Sequence, residues 1–404
     1  MPRWHAPAYS GSHQARVEGA GRDELVLAPP PPGSPGGQLA AGQGRTAGRA
    51  DGGRADLVCR AERGAWAFIA KTVPDAPVGR QLTWFLGALA DLPLSQQVIR
   101  AHFEPAILAQ VSPEQLNSAL AQPPAPGGAS LIGLLSEDPA GSMFKLFVLG
   151  ALAQQIAAGR VSWNQDLTVT AQLKSLPSGQ LQHDPDGTKI SVLDTATKMI
   201  SISDNTAANM LINLVGRPAV EAQDRQWSDH AALNVPFLTT REAFILKLSQ
   251  WPALANRYIA ANQAGRQALL AGTVDRAPLP ALAAGQAWTT PRDIDTLEWF
   301  ASADDICRAF AGLQQLAAQA ALAPLSSVLS ANNGGVGLDP AQWPTVWFKG
   351  GSEPGVLTVG YLATNSKGQT FVVVAMLSDP AAVVPPSAGP GLLAIVRGAF
   401  HLLR

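Results

Sequence analysis

Residues 144–157 are apolar on nearly every face of the helix that they predict. A surface helix is apolar on one side only, so a helix without a polar face must be surrounded by other elements of its domain. The segment is also too short to cross a membrane, which takes about 20 apolar residues. We therefore expect one large domain built around this helix.

Three β-branched segments near the C-terminal end, residues 345–348, 356–362 and 371–377, predict strands. Turn residues separate them, notably 365–369, which favours antiparallel pairing. Residues 391–404 then have apolar residues at helical spacing and predict a helix that covers the sheet. Helices in the middle of the chain followed by strands predict an α+β fold.

The N-terminal part of the chain has a different composition. Residues 1–56 contain 11 Gly and 7 Pro, which predicts disorder, and Pro74 and Pro77 extend the expected disordered tail to residues 1–78. Residues 79–122 have helical apolar spacing, and the Pro/Gly-rich run that follows marks a boundary. We expect a helical N-terminal region at 79–122 and a large domain at 123–404.

Charge argues against a nucleic-acid partner, because 29 Lys and Arg are balanced by 30 Asp and Glu. Two cysteines, Cys59 and Cys307, are too few for a disulfide framework or a cysteine-rich metal site, and we expect small buried hydrophobes or idle thiols. The histidines lack HExxH spacing, so no metal and no cofactor are expected.

Apolar runs in this sequence stay shorter than a membrane span, and the first residues lack the apolar core of a secretion signal. We therefore expect a soluble, cytoplasmic chain as the sequence is written. We also expect a monomer or weak dimer.

Ser142 and Lys145 form an SxxK motif at the start of the apolar helix. A spacing of three places both side chains on one helix face, where the amine can take the hydroxyl proton. Burial makes an ammonium costly and lowers the lysine pKa, and a neutral amine is a competent base near pH 7. Backbone N–H groups at the helix start would stabilise an oxyanion. The alternative is a chance match, since SxxK is a short motif.

Ser203, Asp204 and Asn205 form an SDN motif between the predicted helices 192–200 and 206–214. A rigid connector there can present a hydroxyl and an amide to a cleft. The alternative is an ordinary helix N-cap, which Ser, Asp and Asn favour.

Lys349, Gly350 and Gly351 follow the predicted strand 345–348. Paired glycines let a substrate lie against a strand edge, and the lysine offers a positive charge to a carboxylate or an oxyanion. The alternative for this short motif is a turn.

The ordered set SxxK, SDN and KGG resembles the signatures of the penicillin-recognising serine enzymes, particularly class A β-lactamases, over residues 129–404. The resemblance implies a β-lactamase/transpeptidase-like fold, with an antiparallel sheet flanked by helices plus a helical subdomain. It also implies that Ser142 is the acylated nucleophile and Lys145 its general base.

The same resemblance implies the remaining roles. Ser203 relays a proton to the leaving group, Lys349 supplies positive potential, and Asn205 holds the substrate amide or the lysine of the SxxK motif. Gly351 and Ser352 contact substrate, and the oxyanion hole consists of the backbone N–H groups of Ser142 and Ser352.

The sequence departs from the class A pattern in three ways. Gly350 replaces the usual hydroxyl residue, so that only Ser352 could replace its contact with a substrate carboxylate. No ExxLN follows the SDN motif; Glu242 is either a substitute for its glutamate or an exposed helix acid, and Glu221 is the other acid of the region. Residues 122–141 are too short for the pair of strands that usually precedes SxxK, although residues 129–135 can supply one of them.

A closer resemblance is to actinobacterial serine hydrolases related to the cephalosporin esterase encoded with clavulanate biosynthesis. Phe348, Lys349 and Ser352 match their FKxxS pattern, and residues 79–86 and 103–108 look like the helical part of their steroid-isomerase-like N-terminal domain. The strands of that domain are missing here, so this region is expected to be truncated.

These features predict a serine acyl hydrolase that forms an acyl-enzyme with a small β-lactam or ester substrate. Two alternatives stay open. One is a catalytically silent penicillin-binding or sensing domain, and the other is a non-functional truncated relic.

Overall fold

A computed structural model describes residues 58–62, 65–67, 93–102, 108, 112–115, 117, 138–280, 288–385 and 388–403. Within these ranges the strands are β1 (Val58–Glu62), β2 (Ala65–Ala67), β3 (Asp138–Pro139), β4 (Asp166–Thr168), β5 (Lys189–Ser191), β6 (Phe300–Ala301), β7 (Thr345–Glu353), β8 (Val356–Thr364) and β9 (Thr370–Ser378). The α-helices are α1 (Gln96–His102), α2 (Lys145–Ala157), α3 (Val192–Ser201), α4 (Asn205–Val215), α5 (Arg217–Trp227), α6 (Thr240–Leu248), α7 (Ala253–Ala260), α8 (Gln263–Leu269), α9 (Ala303–Ala317), α10 (Pro324–Ser330) and α11 (Ala388–Leu402).

The main sheet has five antiparallel strands in the order β2-β1-β9-β8-β7. Its three C-terminal strands confirm the strands expected from β-branched composition, and residues 365–369 form the turn between the last two. The strand β7 continues through the KGG motif to Glu353, whereas the sequence suggested an end at residue 348. The expected α+β fold, with an antiparallel sheet flanked by helices, is thus confirmed.

Residues 58–62 and 65–67 correct the expected disordered tail. They form β1 and β2, and β1 pairs with β9 in the register Val58 to Val373. This pairing also supplies sheet strands from a part of the sequence that lies far before the SxxK motif. The rest of residues 1–78, and residues 129–135, which were considered for a strand, lie outside the described residues. The domain boundaries at 79 and 123 stay predictions.

Helix α2 is the centre of the larger core, as its composition predicted. Ten of its 13 residues are buried. The ring of Trp227 packs where Gly150 and Gly312 leave room, because a Cβ atom at either glycine would overlap the indole. This close approach ties α2 to α5 and α9, so that the start of α2 is held in a fixed position.

Helix α11 covers the opposite face of the sheet, as expected for the last apolar segment. Phe400 on this helix is fully buried, and its ring lies edge-on to Trp343 at 5.1 Å between centroids. The sheet therefore has a core on each face, with α2 on one side and α11 on the other.

Cys307 is disulfide-bonded, which corrects the expectation of an idle thiol. Cys59 is the only other cysteine of the sequence. Among the described helices, none is long and apolar enough to cross a membrane.

Candidate active site

Ser142 lies in a short 3-10 helix, Gly141–Phe144, that leads into α2. Two contacts fix this entry. The backbone N–H of Ala140 donates to the Trp299 carbonyl at 2.7 Å, and the Phe144 ring stacks on the Trp299 indole at 3.9 Å between centroids. The hydroxyl of Ser142 is thus held at the N-terminal end of a buried helix, where backbone N–H groups point away from the helix.

Lys145 is fully buried and has four oxygen atoms around its Nζ atom. Two of them can only accept hydrogen bonds: the Ser203 carbonyl at 2.7 Å and Asn205 Oδ1 at 2.6 Å. The other two are the hydroxyls of Ser203 at 2.9 Å and Ser142 at 3.2 Å. A neutral amine has two protons and one lone pair. If the two acceptors take both protons, the lone pair is left for a hydroxyl proton.

The charge on Lys145 is disfavoured. Burial lowers its pKa well below the ordinary value, and the nearby Lys349 lowers it further, against a smaller opposing effect of Asp204. This lowered pKa favours the neutral amine, which is the form that can accept a proton from Ser142.

Ser203 presents both of its oxygen atoms to Lys145 because its backbone is in the left-handed region, with φ of 57°. This conformation costs a non-glycine residue about 1–2 kcal/mol and is kept only where surrounding contacts enforce it. Asp204 provides such contacts. Its buried carboxylate accepts from the backbone N–H groups of Gln180, Leu181 and Ala207 at 2.6, 3.0 and 2.9 Å.

Both polar atoms of the Asn205 side-chain amide form hydrogen bonds. Its Oδ1 atom accepts from Lys145, and its Nδ2 atom donates to the Leu176 carbonyl at 2.6 Å. Of the two roles that the sequence left open, this arrangement favours holding the lysine over holding a substrate amide.

Lys349 on β7 reaches the hydroxyl of Ser203, which also contacts Lys145. Its Nζ atom lies 3.1 Å from Ser203 Oγ and 2.5 Å from the Gly350 carbonyl. The side chain is buried, and this burial lowers its pKa to about 7. The hydroxyl of Ser203 therefore lies between two lysine amines.

Gly351 packs directly against the backbone of Ser142. A Cβ atom at this position would overlap the Ser142 amide nitrogen and lie 2.8 Å from the Ala140 carbonyl oxygen. The next residue, Ser352, is exposed. The structure thus places β7 alongside the expected nucleophile, with Ser352 at the edge that faces solvent.

Gly350 has a steric reason to lack a side chain. A Cβ atom there would lie 2.9 Å from Phe348 Cζ and 3.0 Å from the Thr358 carbonyl oxygen. The Phe348 ring is in turn packed against Tyr361 at 4.8 Å between centroids. An aromatic ring therefore occupies the space next to the position where the class A pattern has a hydroxyl.

The two acids considered for water activation have other partners. Glu242 is buried, so the expectation of an exposed helix acid is wrong. It pairs with Arg217 at 2.6 Å and accepts from the N–H of Thr239, the N-cap of α6, at 2.7 Å, as the N3 residue of a capping box. Glu221 accepts from the Phe237 N–H at 3.1 Å.

The structure brings together the seven residues that the sequence singled out, namely Ser142, Lys145, Ser203, Asn205, Lys349, Gly351 and Ser352. Sequence reasoning missed the roles of Asp204, Trp299 and Phe348. Asp204 could have been found, since it is the middle residue of the SDN motif, whereas the contact of Trp299 with Ala140 has no local sequence signal. In the described part of the chain, no cluster of His, Cys, Asp and Glu could hold a metal ion.

The family model for the "Beta-lactamase enzyme family" matches residues 136–389, more than half of the 404 residues. The chain belongs to this beta-lactamase family. A second model, "ORF 12 gene product N-terminal", matches residues 73–126. No curated protein matches the sequence.

Solved structures similar to the beta-lactamase-family chain include PBP-A, with 20% identity, a TM-score of 0.45 and coverage of 67% of this chain and 82% of that one. A beta-lactamase from Sphaerobacter thermophilus has 22% identity, a TM-score of 0.44 and coverage of 65% and 82%. A beta-lactamase from Chitinophaga pinensis has 18% identity, a TM-score of 0.45 and coverage of 67% and 87%.

Proposed function

We propose that the chain is a serine acyl hydrolase that forms a covalent acyl-enzyme on Ser142 with a β-lactam or ester substrate. Membership of the beta-lactamase family supports this reaction class. The observation that carries the proposal is the buried Lys145 amine, 3.2 Å from the Ser142 hydroxyl, with a pKa lowered by burial.

In the proposed acylation, Lys145 Nζ takes the Ser142 proton as Oγ attacks the substrate carbonyl carbon. Negative charge then develops on the carbonyl oxygen, between the backbone N–H groups of Ser142 and Ser352. Two fixed donors at such a position lower the barrier because they are already oriented when the charge forms.

The proton is then passed to the leaving group. Ser203 Oγ lies 2.9 Å from Lys145 Nζ and 3.1 Å from Lys349 Nζ. Ser203 can therefore give its hydroxyl proton to the leaving group and receive one from Lys145. Lys349 stabilises the negative charge that develops on Ser203 Oγ during this transfer. The bond from the carbonyl carbon to the leaving amine or alkoxide breaks, and the acyl group stays on Ser142.

A penicillin-binding or sensing function without turnover is the second candidate, and the environment of Glu242 favours it. Hydrolysis of the acyl-enzyme needs a base for water. Both carboxylate oxygens of Glu242 are held by Arg217 and by the cap of α6. A penicillin acyl-enzyme would then persist, as in a binding protein.

We further propose that the preferred substrate is an ester. The FKxxS arrangement of Phe348, Lys349 and Ser352 supports it, because the aromatic ring fills the place next to Gly350 where a hydroxyl would bind a carboxylate. We therefore propose the relationship to the clavulanate-cluster cephalosporin esterase as a hypothesis, with esters lacking a strongly held carboxylate as the preferred donors.

Intact mass spectrometry tests these proposals. The protein is incubated with a fluorescent penicillin, a chromogenic cephalosporin and an acetyl ester, and mass and product are followed over time. We expect an adduct on Ser142 that is absent in Ser142→Ala and unchanged in the control Ser366→Ala. Rapid loss of the adduct with product release indicates a hydrolase, and a stable adduct indicates the binding function.

Failure of all three donors to modify Ser142 would refute the covalent mechanism. Limited proteolysis of the same sample addresses the relic alternative, which predicts no resistant fragment.

The compartment is also a proposal. The disulfide bond of Cys307 argues for an oxidising compartment rather than the expected cytoplasm, since disulfides are rare in reducing cytosol. Alkylation with iodoacetamide before and after reduction tests it: protein isolated from its host should gain no label until it is reduced. Size-exclusion chromatography tests the predicted monomer or weak dimer.

A further inference from the structure

A buried ionic cluster lies next to the active site and has no part in the steps above. Lys247 on α6 donates to Glu298 at 2.8 Å and to Glu353 at 2.7 Å. The side chains are 1%, 4% and 8% exposed. Three segments that are distant in sequence meet at this lysine: α6, the segment before β6 and the end of β7.

The surroundings of the two glutamates shift their pKa values in opposite directions. Burial and the neighbouring Glu298 raise the pKa of Glu353 well above its usual value. Burial is the largest influence on Glu298 and acts against its charge, but the charge of Lys247 together with the hydrogen bonds from Lys247, Glu353 and the Trp299 N–H lowers the pKa of Glu298 below its ordinary value. These opposite directions favour one ammonium, one carboxylate and one protonated carboxyl group, a set without net charge whose burial is tolerable.

Both halves of the proposed oxyanion hole are connected to this lysine. Glu353 directly follows Ser352 on β7. Glu298 Oε2 accepts from the Trp299 N–H at 3.1 Å, and the Trp299 carbonyl accepts from the Ala140 N–H at 2.7 Å. Ala140 stands two residues before Ser142, so one side chain, Lys247, holds the segments that carry both donors.

We propose that Lys247, Glu298 and Glu353 form a positioning cluster that sets the separation of the Ser142 and Ser352 backbone N–H groups. This inference rests on the proposed acylation mechanism. The cluster does not touch the substrate, so its loss should leave substrate binding unchanged. Its loss should weaken the stabilisation of the tetrahedral oxyanion, because the two backbone donors are then held less well.

The test uses the full chain and the double variant Lys247→Met/Glu298→Gln. The single change Lys247→Met leaves a buried carboxylate without its partner and is expected to destabilise the fold. The double change removes both charges and keeps similar side-chain shapes, so its melting temperature should be close to that of the wild type. Lys174→Met/Asp186→Asn repeats the same type of change at a more exposed ion pair, with side chains 20% and 54% exposed, and is the control.

We measure the acylation rate at saturating fluorescent penicillin, the concentration that gives half of this rate, and the affinity for a boronic acid, which forms a tetrahedral adduct with a serine. For the double variant we expect an acylation rate at least tenfold lower, boronic acid affinity lowered by a similar factor, and little change in the half-saturating concentration. The control variant should match the wild type in all three measurements.

A double variant that melts with the wild type and is acylated at the wild-type rate would overturn the positioning role. If the double variant is less stable and its acylation rate recovers when its stability is restored, the cluster serves folding alone. That result would also overturn the positioning role. Failure of the proposed function is a separate outcome, because then the wild type itself is not acylated.

Discussion

Lys145 Nζ lies 3.2 Å from Ser142 Oγ, within hydrogen-bond distance, while the lysine is fully buried. In the proposed mechanism, the ordinary cost of burying an ammonium therefore becomes the means of activating the serine. A water-exposed lysine at the same distance would be protonated and unable to accept the hydroxyl proton.

Lys145→Met should reduce the acylation rate by a factor of about 10²–10⁴, the usual contribution of a general base. Methionine keeps the length of the side chain but cannot accept a proton. Stopped-flow fluorescence with a labelled penicillin gives the rate. Lys198→Met, which removes a partly exposed lysine on α3, is the matched control and should leave the rate unchanged. A Lys145→Met rate within threefold of the wild type would contradict the role of base.

The acylation rate should decline as the pH rises through about 7. Lys349 has a pKa of about 7 and is charged below it, so its positive potential is lost on the alkaline side. Lys349→Arg keeps its charge at all these pH values. We expect this variant to have a lower maximum but no decline between pH 7 and 9. The measurement is the rate from pH 5 to 9, and a wild-type profile without an alkaline decline would contradict the assignment.

Gly351→Ala should impair both acylation and stability. The added methyl group overlaps the Ser142 amide nitrogen, so the strand or the nucleophile must move. Overpacking of this kind costs about 1–3 kcal/mol in the free energy of unfolding, and a shift of about 1 Å at a reacting group can cost about 10² in rate. Urea denaturation and acylation kinetics measure the two effects.

Gly398→Ala is the control for that substitution. This glycine lies on α11, where a Cβ atom meets open space. Alanine in a helix is favoured over glycine by about 1 kcal/mol, so the variant should be equally or more stable and fully active. Equal effects of the two glycine variants would show that the contact with Ser142 is unimportant.

Gly350→Ser should not restore carboxylate recognition by itself. The Phe348 ring and the Thr358 carbonyl leave too little space for a Cβ atom. In Phe348→Leu/Gly350→Ser the smaller side chain makes room, and we expect the double variant to be acylated by a carboxylate-bearing penicillin at least fivefold faster than Gly350→Ser. Phe348→Leu alone is the control. An equally fast single variant Gly350→Ser would show that the ring does not exclude the hydroxyl.

Short-range patterns account for what the sequence predicted. The apolar faces of α2, β8 and β9 follow from residue types a few positions apart, and so does the SxxK pair. The ends of elements were harder to place. The run KGG suggested a turn after residue 348, but the ladder with β8 extends β7 to Glu353. Pairing between strands decides such an end, and it depends on the partner as much as on the glycines.

Long-range contacts account for what the sequence missed. Lys247, Glu298 and Glu353 have no distinguishing pattern in their own segments. Only the fold brings a carboxyl oxygen of each glutamate within 2.8 Å of the lysine Nζ atom. Glu242 was expected on a surface because isolated acids usually lie there. Its partner Arg217 is 25 positions away in sequence, which no local pattern indicates.

The pairing of β1 with β9 has a practical consequence for the boundaries of recombinant fragments. The family match begins at residue 136, but the strand that protects the β9 edge lies at Val58–Glu62. A truncation that starts at the family boundary would leave main-chain donors and acceptors of β9 open to other molecules, an arrangement prone to aggregation. Expression trials should therefore retain the chain from before Val58.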